Sequence, residues 1–174
     1  VAKNNGYVQL VQSLVDLALD KQPKSLDELK TLAYNEKLSV TEKITEQIGV
    51  LGEKLDLSAY TLVESNQVVA YNHPGNQLAT LVALNSASDI AEDAGKQVAM
   101  QVAAMNPVSV SKDSVPKEVV EKELEIGKDM ARNEGKPEAM LDKIAEGRLN
   151  KFFKESTLLS QAFIKDNKKS VSQY

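Results

Sequence analysis

Apolar residues recur at three- and four-residue steps through the opening segment, alternate with polar ones near residue 57, and return to helical steps after residue 88. Tyr7, Leu10, Val11, Leu14, Leu17 and Ala18 share one face of a predicted helix over 7–19. Ser25 with Glu28, and Ser39 with Glu42, have capping-box spacing. The first pair precedes a short helix through Ala33, the second a longer helix over 40–54. The stripe of that longer helix is Val40, Ile44, Ile48, Leu51 and Leu55, and Gly49 and Gly52 fall inside it. A mid-helix glycine costs about 1 kcal/mol against alanine, so one retained there points to another backbone coming close.

Leu57–Val63, Val68–Tyr71 and Leu78–Leu84 are rich in Val, Leu, Thr and Tyr and are separated by turn compositions, Glu64-Ser65-Asn66 and Asn72-His73-Pro74-Gly75-Asn76. Connections this short rule out parallel crossovers, so the pattern predicts a three-stranded antiparallel sheet. A helix over 88–105 follows, with Ala94, Val98, Val102 and Met105 inward and Asn106-Pro107 as its stop. Val108–Val110 reads as a short edge strand. Beyond residue 157, Leu158–Asp166 reads as extended or irregular, and Ser170–Tyr174 as the opening of a helix.

Between these lie two charged helices with narrow apolar seams. One carries Val120, Leu124, Gly127 and Ala131, the other Leu141, Ala145, Leu149 and Phe152. Asn133-Glu134-Gly135-Lys136-Pro137 joins them, with Gly suited to a left-handed stop and Pro to a first turn. The pattern predicts an antiparallel helical hairpin that projects by about 25 Å. The fold class is therefore α+β: a three-stranded antiparallel sheet packed with helices, plus a protruding hairpin. The expected layout is a helical part over 1–56, sheet and helix over 57–115, the hairpin over 116–154 and a C-terminal return over 155–174.

Composition narrows the chemistry. With 42% hydrophobic but only 5% aromatic residues and no Trp, the core must be built from Val, Leu, Ile and Ala. A net charge of −4 argues against nucleic acid as the main partner, so no direct nucleic-acid contact is expected. Cysteine is absent, which removes disulfides, thiolate catalysis and Cys-bound metal. No apolar run reaches membrane-spanning length, and no membrane association is expected. Val1-Ala2-Lys3, without an initiator Met, reads like the interior of a longer protein.

His73 is the sole histidine and sits in a Tyr-Asn-His-Pro-Gly turn that favours exposure. It is either an ordinary polar turn residue or a contact group. A zinc site is not supported without a second His or any Cys. No Gly-x-Ser-x-Gly elbow, Walker A loop or Gly-x-Gly-x-x-Gly occurs. Paired carboxylates such as Glu121/Glu123 and Asp27/Glu28 lie on charged helical faces and read as solvated charge. These residues favour a protein-binding role over an enzyme. The competing readings are an oligomerisation or binding scaffold with a helical arm, and an enzyme with an unconventional acidic site.

From Val69 to Val171 the chain resembles the core of the bacterial elongation factor Ts family. The runs that carry this are Val69-Ala70-Tyr71-Asn72-His73-Pro74-Gly75, Val98 through Pro107, and Val115-Pro116 through Glu123. They continue with Asn133 through Pro137, Glu146 through Phe152 with Lys154-Glu155, Leu158-Leu159 with Gln161, and Phe163 with Lys165-Asp166. Residues 1–68 match more loosely, through Val1-Ala2-Lys3, Ile48-Gly49 and Gly52-Glu53-Lys54.

The resemblance implies a cytoplasmic translation factor that promotes GDP release from elongation factor Tu without being an enzyme and without a cofactor. It implies that Ile48 and Gly49 pack on the factor Tu G domain, that His73 approaches the phosphate-binding loop, and that the arm makes a further contact. It also implies that the family's N-terminal ubiquitin-associated-like module and Thr-Asp-Phe motif would lie ahead of Val1. Homodimerisation is left open by the sequence.

Overall fold

Asn4 starts the first helix: its side-chain oxygen accepts from the backbone N–H groups of Gly6 (2.9 Å) and Tyr7 (3.2 Å). The structure, a computed structural model, describes residues 3–174. They divide into two compact units, Val1–Val68 with Asn72–Ala87, and Val69–Tyr71 with Ser88–Tyr174.

In the first unit, α1 (Asn5–Lys21) buries Leu10, Leu14 and Ala18 and ends where Gln22 turns left-handed at φ 45°. Val11, expected inward, is exposed, as are Val8, Val15 and Leu19. α2 (Leu26–Thr31) is capped by Ser25, whose hydroxyl accepts from Glu28 N–H, but the Glu28 carboxylate accepts from Lys24 N–H and leaves the box half closed. The box is complete at α3 (Val40–Leu51), where Ser39 and Glu42 each accept from the other's backbone N–H. Bonds from the Ser39 backbone, then from its hydroxyl, hold the Glu42 carboxyl below its ordinary pKa. Gly52 does not lie inside α3, as expected from its stripe; it caps the helix at φ 69°, a conformation suited to glycine.

Leu10, Leu14, Val40 and Ile44 form the buried centre of this unit, with Leu17, Leu32, Tyr34, Leu55 and Leu57 packed against it. Each such aliphatic side chain contributes about 1.5–3 kcal/mol when fully buried. That packing explains why the three-stranded sheet does not form. Leu55 and Leu57 are drawn onto the helical core, and Leu57–Val63 runs without strand pairing. The sheet has two strands, β1 (Gln67–Asn72) and β2 (Ala79–Leu84), joined through residues 73–78 and therefore antiparallel. Its open end is tied by Ser65 Oγ donating to the Leu84 carbonyl and Asn66 Nδ2 donating to that of Asn85, each at 2.6 Å.

The second unit opens its helical part with α4 (Asp89–Met105), capped by Ser88. Its inward face differs from the apolar stripe: Gly95, Ala99 and Gln101 are buried, Val98 and Val102 pack partly, and Met105 is exposed. Gln101 is fully buried because it is fully used. Its Nε2 donates to Gln161 Oε1 (3.2 Å) and the Ala162 carbonyl (3.1 Å), and its Oε1 accepts from Ile164 N–H (2.8 Å). Around this network Leu158, Phe163 and Val171 make a second small core, with the Tyr174 ring stacked on Phe163 at 4.2 Å.

Val108–Val110 forms no edge strand. Only Ser109 and Thr157 make an isolated parallel bridge, flanked by Val108 N–H to Ser156 and Leu159 N–H to Val110. A second two-stranded antiparallel sheet, β3 (Ala162–Phe163) with β4 (Asp166–Ser170), was not signalled by the sequence, since Asp-Asn-Lys-Lys-Ser has no apolar alternation. Val171–Gln173 forms one 3-10 turn where a helix was expected to open.

α5 (Lys117–Asn133) and α6 (Leu141–Ser156) pack along their length as the predicted hairpin. Gly127, Ala131, Leu141 and Ala145 are its buried centre, while Val120, Leu124, Leu149 and Phe152 are half-buried. The connection turns at Gly135 (φ 74°), with Lys136 N–H returning to the Ala131 carbonyl at 3.0 Å. Lys128 pairs with Asp142, Arg132 with Asp129 and Glu138, and Arg148 with Glu134.

Candidate partner-binding surface

The last turn of α3 presents an unusual sequence of exposures. Ile48 is half-buried, Gly49 exposed, and Val50 is 71% exposed. A Cβ on Gly49 would meet nothing within 4 Å, so packing inside the chain does not ask for glycine here. The helix is then closed by Gly52 N–H donating to the Ile48 carbonyl at 2.9 Å. The result is a capped helix end with a bare stretch of backbone flanked by apolar side chains.

His73 occupies the β1–β2 turn and is exposed. Its backbone is fixed on both sides: its N–H donates to the Leu78 carbonyl at 2.8 Å and its carbonyl accepts from Asn76 N–H at 3.0 Å. Asn72 Nδ2 donates to Asn76 Oδ1 at 2.8 Å, and Gly75 takes φ 101°, which an L side chain rarely adopts. The turn therefore fixes the backbone that carries the exposed imidazole. Ile48, Gly49 and His73 all belong to the first unit, on two separate elements, the end of α3 and the tip of the hairpin.

Val50 was not singled out by sequence. The signal was present, because it is an apolar residue out of phase with the Val40, Ile44, Ile48, Leu51 stripe. The stripe Val8, Val11, Val15 and Leu19 on α1 is a second apolar face left exposed. No cluster of three or more His, Asp or Glu side chains suited to a metal ion occurs among the described residues. No helix of the described residues is long and apolar enough to cross a membrane.

The sequence matches the family described as Elongation factor TS over residues 1–174. This chain belongs to the elongation factor Ts family. It is 51% identical over 177 residues to elongation factor Ts of Amoebophilus asiaticus, covering all of this chain and 63% of that relative. It is 46% identical to elongation factor Ts of Christiangramia forsetii, covering all of this chain and 62% of the relative, and 42% identical to that of Porphyromonas gingivalis. The chain thus spans under two thirds of the length of these elongation factor Ts relatives. In this chain the half-buried Ile48, the exposed Gly49 and the exposed His73 sit on two separate elements of one unit.

Proposed function

We propose that this chain acts in the cytoplasm as a nucleotide exchange factor, binding the G domain of elongation factor Tu and promoting GDP release. The observation that carries the reading is the family match along residues 1–174, joined to the exposure of Gly49 and His73 on a capped helix end and a hydrogen-bonded turn. Ile48 and Gly49 would pack against the G domain through the bare end of α3. His73 would enter beside the phosphate-binding loop, and the α5–α6 hairpin would add a further contact.

The mechanism is linkage. A factor that binds the nucleotide-free GTPase more tightly than its GDP form must weaken GDP by the same ratio. A helix end and a turn that displace the phosphate loop and magnesium site supply this without covalent chemistry, so the activity is not enzymatic and needs no cofactor. Release of fluorescent GDP from elongation factor Tu, followed with and without this chain, is the test. Acceleration that saturates with chain concentration supports the reading; an unchanged release rate over a wide concentration range overturns it.

A further inference from the structure

Two glutamines of the second unit have almost no exposure, Gln101 at 0% and Gln161 at 1%. An amide side chain carries two donors and an acceptor oxygen, so burying it demands partners. Gln161 finds its partners on two helices at once. Its Oε1 accepts from Gln101 Nε2, in the body of α4, at 3.2 Å. Its Nε2 donates to the Glu155 carbonyl in the last turn of α6 at 3.0 Å, with a longer contact of 3.5 Å to the Met105 carbonyl at the end of α4. Both carbonyls are among the last four of their helices, which have no partner inside the helix.

The glutamine is itself held by its backbone. Its N–H donates to the Thr157 carbonyl and its carbonyl accepts from Val171 N–H, each at 3.0 Å. Thr157, also fully buried, closes α6 by donating its hydroxyl to the Phe153 carbonyl at 2.7 Å. The other leg of the arm is less tied, since α5 starts at Pro116 with no side-chain hydrogen bond to cap it. α6 has 16 residues and is about 24 Å long. A swing of about 10° at its base moves the tip by about 4 Å. A side chain that bonds both α4 and the last turn of α6 therefore has leverage over the whole arm.

We infer that Gln161 is a positioning residue: it sets the direction in which the α5–α6 arm leaves α4, and through that direction the concentration at which the chain promotes exchange. The second half rests on the exchange-factor reading; the first does not. Without the amide the arm visits many directions, and only a fraction of them is competent. Apparent affinity then falls by that fraction, while the bound complex is unchanged. The loss falls on the concentration required and not on the rate at saturation. A merely structural glutamine has a different signature, lower stability with the direction of the arm kept.

The chain has no cysteine, so Asp93→Cys on α4 and Lys136→Cys at the turn of the arm, both exposed, are the only positions that take spin labels. Label distances and melting temperatures are measured for the labelled chain and for its Gln161→Met and Leu158→Ala forms. Methionine keeps the length of the side chain and removes both donors. Leu158→Ala lowers the stability of the same core and leaves the amide in place. Gln161→Met should broaden the distance distribution by about 4 Å. It should raise the concentration for half-maximal GDP release from elongation factor Tu roughly three- to five-fold, with the maximal rate kept. Leu158→Ala should match the parent in both when measured well below its melting transition. A Gln161→Met distribution as narrow as the parent's overturns the inference, and so does equal broadening in Leu158→Ala. Broadening with an unchanged half-maximal concentration overturns the role in exchange. Gln161→Glu gives an independent check, because protonation returns one donor: its distribution should narrow as pH falls while the parent's stays constant, and a width that ignores pH counts against the inference. A parent chain that leaves GDP release unaccelerated sinks the exchange reading, and the label distances still decide the positioning.

Discussion

Gly127 and Ala145 meet backbone to backbone: a methyl on the glycine would come within 3.1 Å of Ala145 Cα and 3.2 Å of its Cβ. Neither atom can swing aside as the tip of a flexible side chain would. Gly127→Ala should therefore force the helices apart, and an overpacking cost of about 1–3 kcal/mol outweighs the gain in helix propensity. Chemical denaturation followed by circular dichroism should show the loss, with faster amide exchange in α5 and α6. An unchanged or raised midpoint would mean that the hairpin relaxes freely at this crossing.

Gly49 gives the reverse expectation. With nothing within 4 Å of its Cβ position, Gly49→Ala should stabilise α3 by about 0.5–1 kcal/mol. If α3 packs on the partner here, the same substitution slows GDP release from elongation factor Tu. A more stable chain with undiminished exchange would remove Gly49 from the contact.

His73→Ala tests the turn. The side chain is exposed and the turn is held by backbone bonds, so stability should change by less than about 0.5 kcal/mol. Loss of one contact to the partner, worth about 1 kcal/mol, should slow GDP release roughly five-fold. A large drop in melting temperature with exchange intact would make His73 structural instead.

The Ser39–Glu42 box has a pH signature. The Glu42 carboxyl is held below its ordinary value, so its contribution is fully present above about pH 4.3 and is lost as pH falls through the lowered folded value. Ser39→Ala should cost about 1 kcal/mol near neutral pH. The difference between the two proteins should shrink on acidification, because protonated Glu42 no longer completes the box. A gap that stays constant to low pH would show that the hydroxyl alone caps α3.

Helices were legible because each rests on local chemistry: Ser39 with Glu42 at α3, and the Gly127 and Ala145 seam of the hairpin, can both be read within a few turns. Strands were less so. Leu57–Val63 has strand composition, but Leu57 is drawn onto the helical core, and a strand needs a partner edge that composition cannot specify. β4 failed in the other direction, since its Asp-Asn-Lys-Lys-Ser run pairs through its backbone while its side chains are exposed or half-buried. At the candidate surface, the glycine in α3 was visible as an anomaly of propensity, whereas Val50 emerged only once the phase of the helix was fixed.

The bonds from Gln101 to Gln161, Ala162 and Ile164 span about sixty residues of chain, and they set an order on synthesis. When α4 leaves the ribosome its central glutamine has no partner, and burying it would strand an amide with nothing to bond. The first unit is complete in sequence by Ala87, and the α5–α6 hairpin closes through near neighbours. Both can form while the chain is still growing. The second unit cannot close until Gln161 and Ile164 have emerged, so a translational pause placed before them would leave α4 folded but uncovered, and a pause placed after them would not.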